Sequence, residues 1–190
     1  MITADMTHTT TLEEFYNDLR NAQEDPAGHG DNYCAVHDAL TALMKDCESY
    51  KELGVKQGTT LAAVMLCNPK SIIAIDKSLK DYKPYKKLFD TYAVKNDVQF
   101  NIKETDSCSF IATSESCDLL FIDTWHVYSQ LKKELNAHYS FVNKYIVMHD
   151  TLAKKELRKA INEFLNKHTD WKIKEQNEQN VGYTTLEKIK

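Results

Sequence analysis

From residue 49 to residue 149, short apolar runs alternate with helically spaced stretches of about ten to sixteen residues, and nothing else in the sequence restricts the fold as strongly. That rhythm belongs to strand-helix-strand units. It predicts strands at 49–54, 71–76, 98–103, 118–123 and 144–149, with helices at 58–67, 84–95 and 127–142 and a short turn at 107–114. Runs such as Ile72-Ile73-Ala74-Ile75 and Leu119-Leu120-Phe121-Ile122 are apolar on both faces. They therefore fit a parallel sheet whose crossover helices cover both sides. The rhythm breaks near the end. A helix over 153–167 is followed by strand-like Trp171–Glu175 and Tyr183–Glu187, joined by a polar segment, so an antiparallel hairpin is expected to close one edge of the sheet.

Ahead of the repeat, Leu12, Phe15, Tyr16 and Leu19 are spaced as the apolar face of a helix over 11–22, with a threonine in front able to cap it. A second helical pattern runs through Val36, Leu40 and Leu43. Between them, Glu24–Asn32 gathers Pro26, Gly28 and Gly30 and reads as irregular chain. It could act as a lid that brings His29, Asn32 and Tyr33 over a substrate. The expected division is a helical segment with its lid over 1–48 and a binding domain over 49–190, within the 190 residues that one core can hold.

A net charge of -4 and a sequence pI near 6.0 exclude nucleic acid as the main partner, since phosphate binding needs concentrated Lys and Arg. No apolar run approaches the roughly 20 residues that span a bilayer. Met1-Ile2-Thr3-Ala4-Asp5 also lacks the apolar centre of a secretory signal, so a soluble cytoplasmic protein is expected. The five cysteines, at 34, 47, 67, 108 and 117, show no C-x-x-C spacing and read as free thiols, with Cys67 expected as a small buried hydrophobe. Tyr82, Tyr85 and Tyr92 among lysines 77, 80, 83, 86 and 87 mark a solvated helix with an aromatic face.

Open α/β sheets bind ligands outside the carboxyl ends of their strands. Glu52-Leu53-Gly54-Val55-Lys56-Gln57-Gly58-Thr59-Thr60 ends the first strand and opens its helix. Gly54 would permit a sharp turn and close approach to a ligand, while Gly58 and Thr59 would present free amides. The plainer reading is an ordinary glycine turn. Asp76 ends the second strand, where a carboxylate could accept both hydroxyls of an adenosine ribose or merely cap Lys77-Ser78. Asp106, beside Ser107, has the same address on the third strand and could reach an adenine amino group, although Asp before Ser is also common turn chemistry. The fourth strand ends in Asp123-Thr124-Trp125-His126 and the fifth in His149-Asp150-Thr151. Asp123 and Asp150 could hold a divalent cation such as Mg²⁺. His126 or His149 could remove a proton, and Trp125 could offer a stacking surface. Asp150-Thr151 could equally cap the helix that follows.

In this order the motifs resemble class I S-adenosylmethionine-dependent methyltransferases, over about residues 33 to 190. Phe121-Ile122-Asp123-x-x-His126-x-Tyr128 with Met148-His149-Asp150-Thr151 is similar to small-molecule and sugar O-methyltransferases near the macrocin O-methyltransferase and cephalosporin hydroxylase-like proteins. The resemblance implies a Rossmann-like, doubly wound seven-stranded sheet of order 3-2-1-4-5-7-6 with strand 7 antiparallel. It implies that Glu52, Gly54, Gly58 and Thr59 line the methionine part of S-adenosylmethionine. It further implies that Asp76 with Lys77 holds the ribose, that Asp106 with Ser107 sits by adenine, and that Asp123 faces the reacting centre. Metal-dependent members bind Mg²⁺ through acids at the positions of Asp123 and Asp150, although here His149 stands where a second carboxylate is usual. The implied reaction is in-line methyl transfer to a hydroxyl of a small acceptor, with His126 or His149 as base. The sequence leaves a homo-oligomer open, and no membrane partner is expected. A non-catalytic nucleotide-binding module or an NAD-dependent dehydrogenase are the alternatives.

Overall fold

The computed structural model describes residues 9–23 and 34–189. Its sheet has seven strands: β1 (Ser49–Leu53), β2 (Ser71–Asp76), β3 (Gln99–Glu104), β4 (Cys117–Ile122), β5 (Val142–His149), β6 (Trp171–Asn177) and β7 (Tyr183–Lys188). The order is β3-β2-β1-β4-β5-β7-β6. The first five strands pair in parallel, while β7 runs antiparallel to β5 and β6. This is the Rossmann-like arrangement, terminal hairpin included, that the sequence led us to expect.

Two-residue alternation along the strands sorts their side chains into two cores. Tyr50, Ile72, Ala74, Leu119, Phe121 and Val147 pack beneath α1 (Leu12–Gln23), α2 (Cys34–Met44), α3 (Thr59–Met65) and α4 (Lys86–Lys95). Leu53, Ile73, Ile75, Leu120, Ile122 and Met148 pack beneath α5 (Phe110–Thr113), α6 (Tyr128–His138) and α7 (Lys155–Lys167). With helices on both faces, the parallel strands must be apolar on both, and they are.

The first two helices are part of the main core. Thr11 Oγ1 accepts the Glu14 amide while the Glu14 carboxylate accepts the amides of Thr10 and Thr11, a reciprocal cap that starts α1. Leu12, Phe15 and Leu19 from α1 and Val36, Leu40 and Met44 from α2 join the cluster above β1 and β4. Arg20 pairs with Asp38 at 2.7 and 3.1 Å and ties the two helices together. The expected lid, with His29, Asn32 and Tyr33, lies outside the described residues.

Three local expectations need correction. α3 ends at Met65, not 67, so Cys67 lies past its last turn and is exposed. The helix expected over 127–142 ends at His138, because Val142 is drawn into the sheet opposite Cys117. Tyr82 does not belong to a solvated face: it is fully buried against Phe89 and Gly58. No described helix is long and apolar enough to cross a membrane.

Candidate active site

The parallel strands finish level with one another, and the loops after β1, β2, β3 and β4 meet there. Leu53 accepts the Asp123 amide and Ile75 accepts the Gly54 amide, each at 2.8 Å, which carries the sheet ladder one residue past the strands. At Gly54 the backbone takes φ +91, and a Cβ would stand 2.1 Å from the Asp123 carbonyl oxygen. Close approach is therefore needed as expected, but the nearest neighbour is β4's own exit. Gly58, at φ +92, starts α3, and a Cβ there would meet the Phe89 ring at 2.9 Å.

Asp76 fastens this loop. Its Oδ2 accepts the amides of Val55 at 2.7 Å and Lys56 at 3.0 Å, and its Oδ1 accepts the Ser78 amide at 2.9 Å. The turn-capping role is thus present, joined to a bridge across 21 residues that the sequence did not disclose. Asp106 caps its own turn, accepting the Cys108 amide at 2.8 Å.

At the ends of β4 and β5, four side chains converge. His126 Nε2 lies 2.9 Å from Asp123 Oδ1 and 3.0 Å from Asp150 Oδ2, so the imidazole bridges the two carboxylates. His149 Nδ1 lies 3.4 Å from Asp123 Oδ1. Burial alone would raise the Asp123 carboxyl, but hydrogen bonds from His126 and His149 outweigh it and hold that group well below the usual carboxylate range. The bond to Asp123 raises the His126 imidazole above its ordinary value despite the cost of burial. One ligand atom from each of Asp123, His126 and Asp150 falls within 4.8 Å of the others, a grouping able to hold a metal ion.

A cavity of about 490 Å³ opens beside this cluster. Gly54, Asp76, Lys77, Asp106, Ser107 and Asp123 all line it. Trp125, 76% exposed, stands on the same wall. Glu52, Gly58 and Thr59 are not among the cavity's lining residues. Glu52 is buried on β1, where its Oε2 accepts the Tyr50 hydroxyl at 2.6 Å, and burial pushes its carboxyl well above the ordinary value.

Three groups escaped the sequence reading. Glu134, fully buried on α6, accepts Ser107 Oγ at 2.6 Å, Gln130 Nε2 at 2.9 Å and Thr124 Oγ1 at 2.8 Å. Its signal was a charged residue on the same helical face as the apolar Leu131 and Leu135. His138 Nε2 donates to the Ser107 carbonyl at 2.7 Å, so the β3–α5 loop is held at two points by α6. On the opposite face, the buried His37 of α2 has an Nδ1 without a hydrogen-bond partner among the described residues, and it feels the charges of His149 and Asp123.

No protein-family model matches the chain, and comparison with curated proteins finds no match. Solved structures do resemble it. A Klebsiella pneumoniae protein assigned as an O-methyltransferase is 12% identical, with 97% of this chain and 93% of that chain covered and a TM-score of 0.66. An O-methyltransferase from Bacillus cereus in complex with SAH is 12% identical over 97% and 93% of the two chains, with a TM-score of 0.64. The O-methyltransferase TomG from Streptomyces achromogenes, involved in tomaymycin synthesis and in complex with SAM, is 10% identical over 96% and 91%, also at 0.64. What this chain shares with them at such identities is the fold, a Rossmann-like seven-stranded sheet closed by an antiparallel hairpin.

Proposed function

We propose that the protein is an S-adenosylmethionine-dependent methyltransferase acting on a hydroxyl of a small acceptor, hydroxylated or sugar-containing. The observation that carries this reading is the cavity of about 490 Å³, whose wall sets Asp76, Asp106 and Asp123 against the one ammonium of Lys77. Its volume lies within the roughly 300–1,000 Å³ of small-ligand sites. A predominantly anionic wall suits a ligand bearing positive charge and repels phosphates. Gly58, at the helix start where a dinucleotide would rest its pyrophosphate, is packed against Phe89 and Tyr82. Both features disfavour an NAD-dependent dehydrogenase. The fold shared with O-methyltransferases that hold SAH or SAM supports the same choice.

When bound, S-adenosylmethionine supplies an electrophilic methyl carbon on sulfur. Gly54, Asp76, Lys77, Asp106 and Ser107 would hold it, with Glu52, Gly58 and Thr59 supporting the loop. Asp76 has about four acceptor positions, three of them taken by backbone amides, so it can receive one ribose hydroxyl as it stands. A second would require the Lys56 or Val55 amide to yield. His126, its proton affinity raised between two carboxylates, donates to the acceptor oxygen and anchors it. The acceptor proton passes to the Asp123–His149 couple. Mg²⁺ fits the cluster poorly, because Mg²⁺ favours six oxygens whereas one of these three donors is an imidazole nitrogen, already within hydrogen-bond reach of both carboxylates. No step is assigned to it.

Calorimetry with S-adenosylhomocysteine and with NADH tests the reading. The first is expected to bind and the second not to; preference for NADH overturns it. Tight S-adenosylhomocysteine binding without transfer to any hydroxylated acceptor would favour a non-catalytic module.

A further inference from the structure

Asp106, Ser107, Thr124 and Gln130 line one side of the cavity. Their polar hydrogens are already committed. Ser107 and Thr124 each direct the hydroxyl proton to Glu134, at 2.6 and 2.8 Å. The Gln130 amide nitrogen donates to Glu134 Oε1 at 2.9 Å and to Ser107 Oγ at 3.2 Å. What these side chains can still offer is lone pairs: the hydroxyl oxygens, the Gln130 carbonyl oxygen and the second oxygen of Asp106, whose Oδ1 is taken by Cys108.

We propose that Glu134, which reaches no ligand itself, is a positioning residue that makes the side chains of this wall accept hydrogen bonds without donating any, so that they select a heterocycle bearing an exocyclic amino group over its oxo counterpart. The inference rests on the reading that the cavity takes an S-adenosyl ligand, and it names the group that reads the base. Adenine presents an amino group to such a wall. Hypoxanthine presents a carbonyl oxygen, which would face the lone pairs of these side chains, and a buried polar group left unpaired costs binding. Glutamine in place of Glu134 brings an NH₂ donor of its own, which obliges a Ser107 or Thr124 hydroxyl to turn and donate elsewhere.

The test is the affinity ratio of S-adenosylhomocysteine to S-inosylhomocysteine, measured by calorimetry on the wild type, Glu134→Gln and Thr124→Val, with circular dichroism to verify the fold. The wild type is expected to prefer the adenosyl compound by at least about ten-fold. Glu134→Gln should bring the ratio close to one, and Thr124→Val, which deletes one acceptor at nearly constant shape, should lower it in part. Thr124→Val decides the matter if Glu134→Gln does not fold. A general loosening of the loops would weaken both ligands together and leave the ratio where it was, which overturns the proposal. Failure of the wild type to bind either ligand overturns the S-adenosyl reading and the inference with it, whereas binding with an unmoved ratio overturns the inference alone.

Discussion

At Asp123, burial and two imidazoles act on one carboxylate in opposite directions, and the imidazoles win. The group is thus an anion over the whole physiological range, held by His126 and His149. Asp123→Asn keeps the shape but removes the charge that orients both rings. We expect kcat to fall by about 10²–10⁴-fold, the range of general acid–base contributions, with a smaller loss of S-adenosylhomocysteine affinity. Steady-state kinetics beside calorimetry checks the split, and unchanged kcat in a folded variant sinks the assignment. Gly54 stands one residue beyond β1 and allows the loop to pass the Asp123 carbonyl. Gly54→Ala would place a Cβ 2.1 Å from that oxygen at φ +91. Overpacking and left-handed strain together should cost roughly 2–5 kcal/mol by urea unfolding. A loss below about 1 kcal/mol would mean that the loop relocates easily.

Among the elements, α1 shows how a helix far from the site helps to build it. Its Phe15 is fully buried, with ring centroids 4.8 Å from Tyr85 and 5.6 Å from Phe89, and Phe89 in turn packs on Gly58 at the start of α3. An element that merely covered the crevice would not carry such an anchor. Phe15→Ala should destabilise the protein by about 3–5 kcal/mol, as aromatic-to-alanine core changes do. A loss under about 1 kcal/mol in the unfolding free energy, read from denaturant curves, would show that α1 detaches from the fold at little cost. On the other face, α6 brings Glu134 and His138 to the β3–α5 loop, which no residue of that loop foreshadows.

Over the whole molecule, buried histidines set the response to acid. Burial pushes His37 and His138 down to about 4 from an ordinary value of 6.5. Below pH 6.5 the unfolded chain takes up protons that the folded chain refuses until about pH 4. The stability these residues confer above pH 6.5 is therefore lost as the pH falls, by about 3 kcal/mol for each. Thermal unfolding midpoints should drop between pH 6.5 and 4, and His37→Phe, which fills the same space without a titrating ring, should flatten that slope. An identical slope in the variant would refute it. His126 works in the opposite sense, since its raised value lends stability below its ordinary pKa that disappears as pH rises past the folded one.

The sequence by itself determined the order of strands and helices, the two apolar faces of the sheet, the terminal hairpin and the presence of acids at four strand ends. All of these are written locally, as short continuous apolar runs for the parallel strands and a three-to-four-residue spacing for the helices, which a linear reading detects. What only the tertiary structure decided is how buried polar groups are satisfied. Asp76 is completed by Val55 and Lys56 across the β1–β2 pairing, Ser107 by Glu134 at a separation of 27 residues, and Asp123 and Asp150 by one imidazole. Such partners depend on which chain ends the sheet register brings level, and a buried donor or acceptor must take whichever group arrives there.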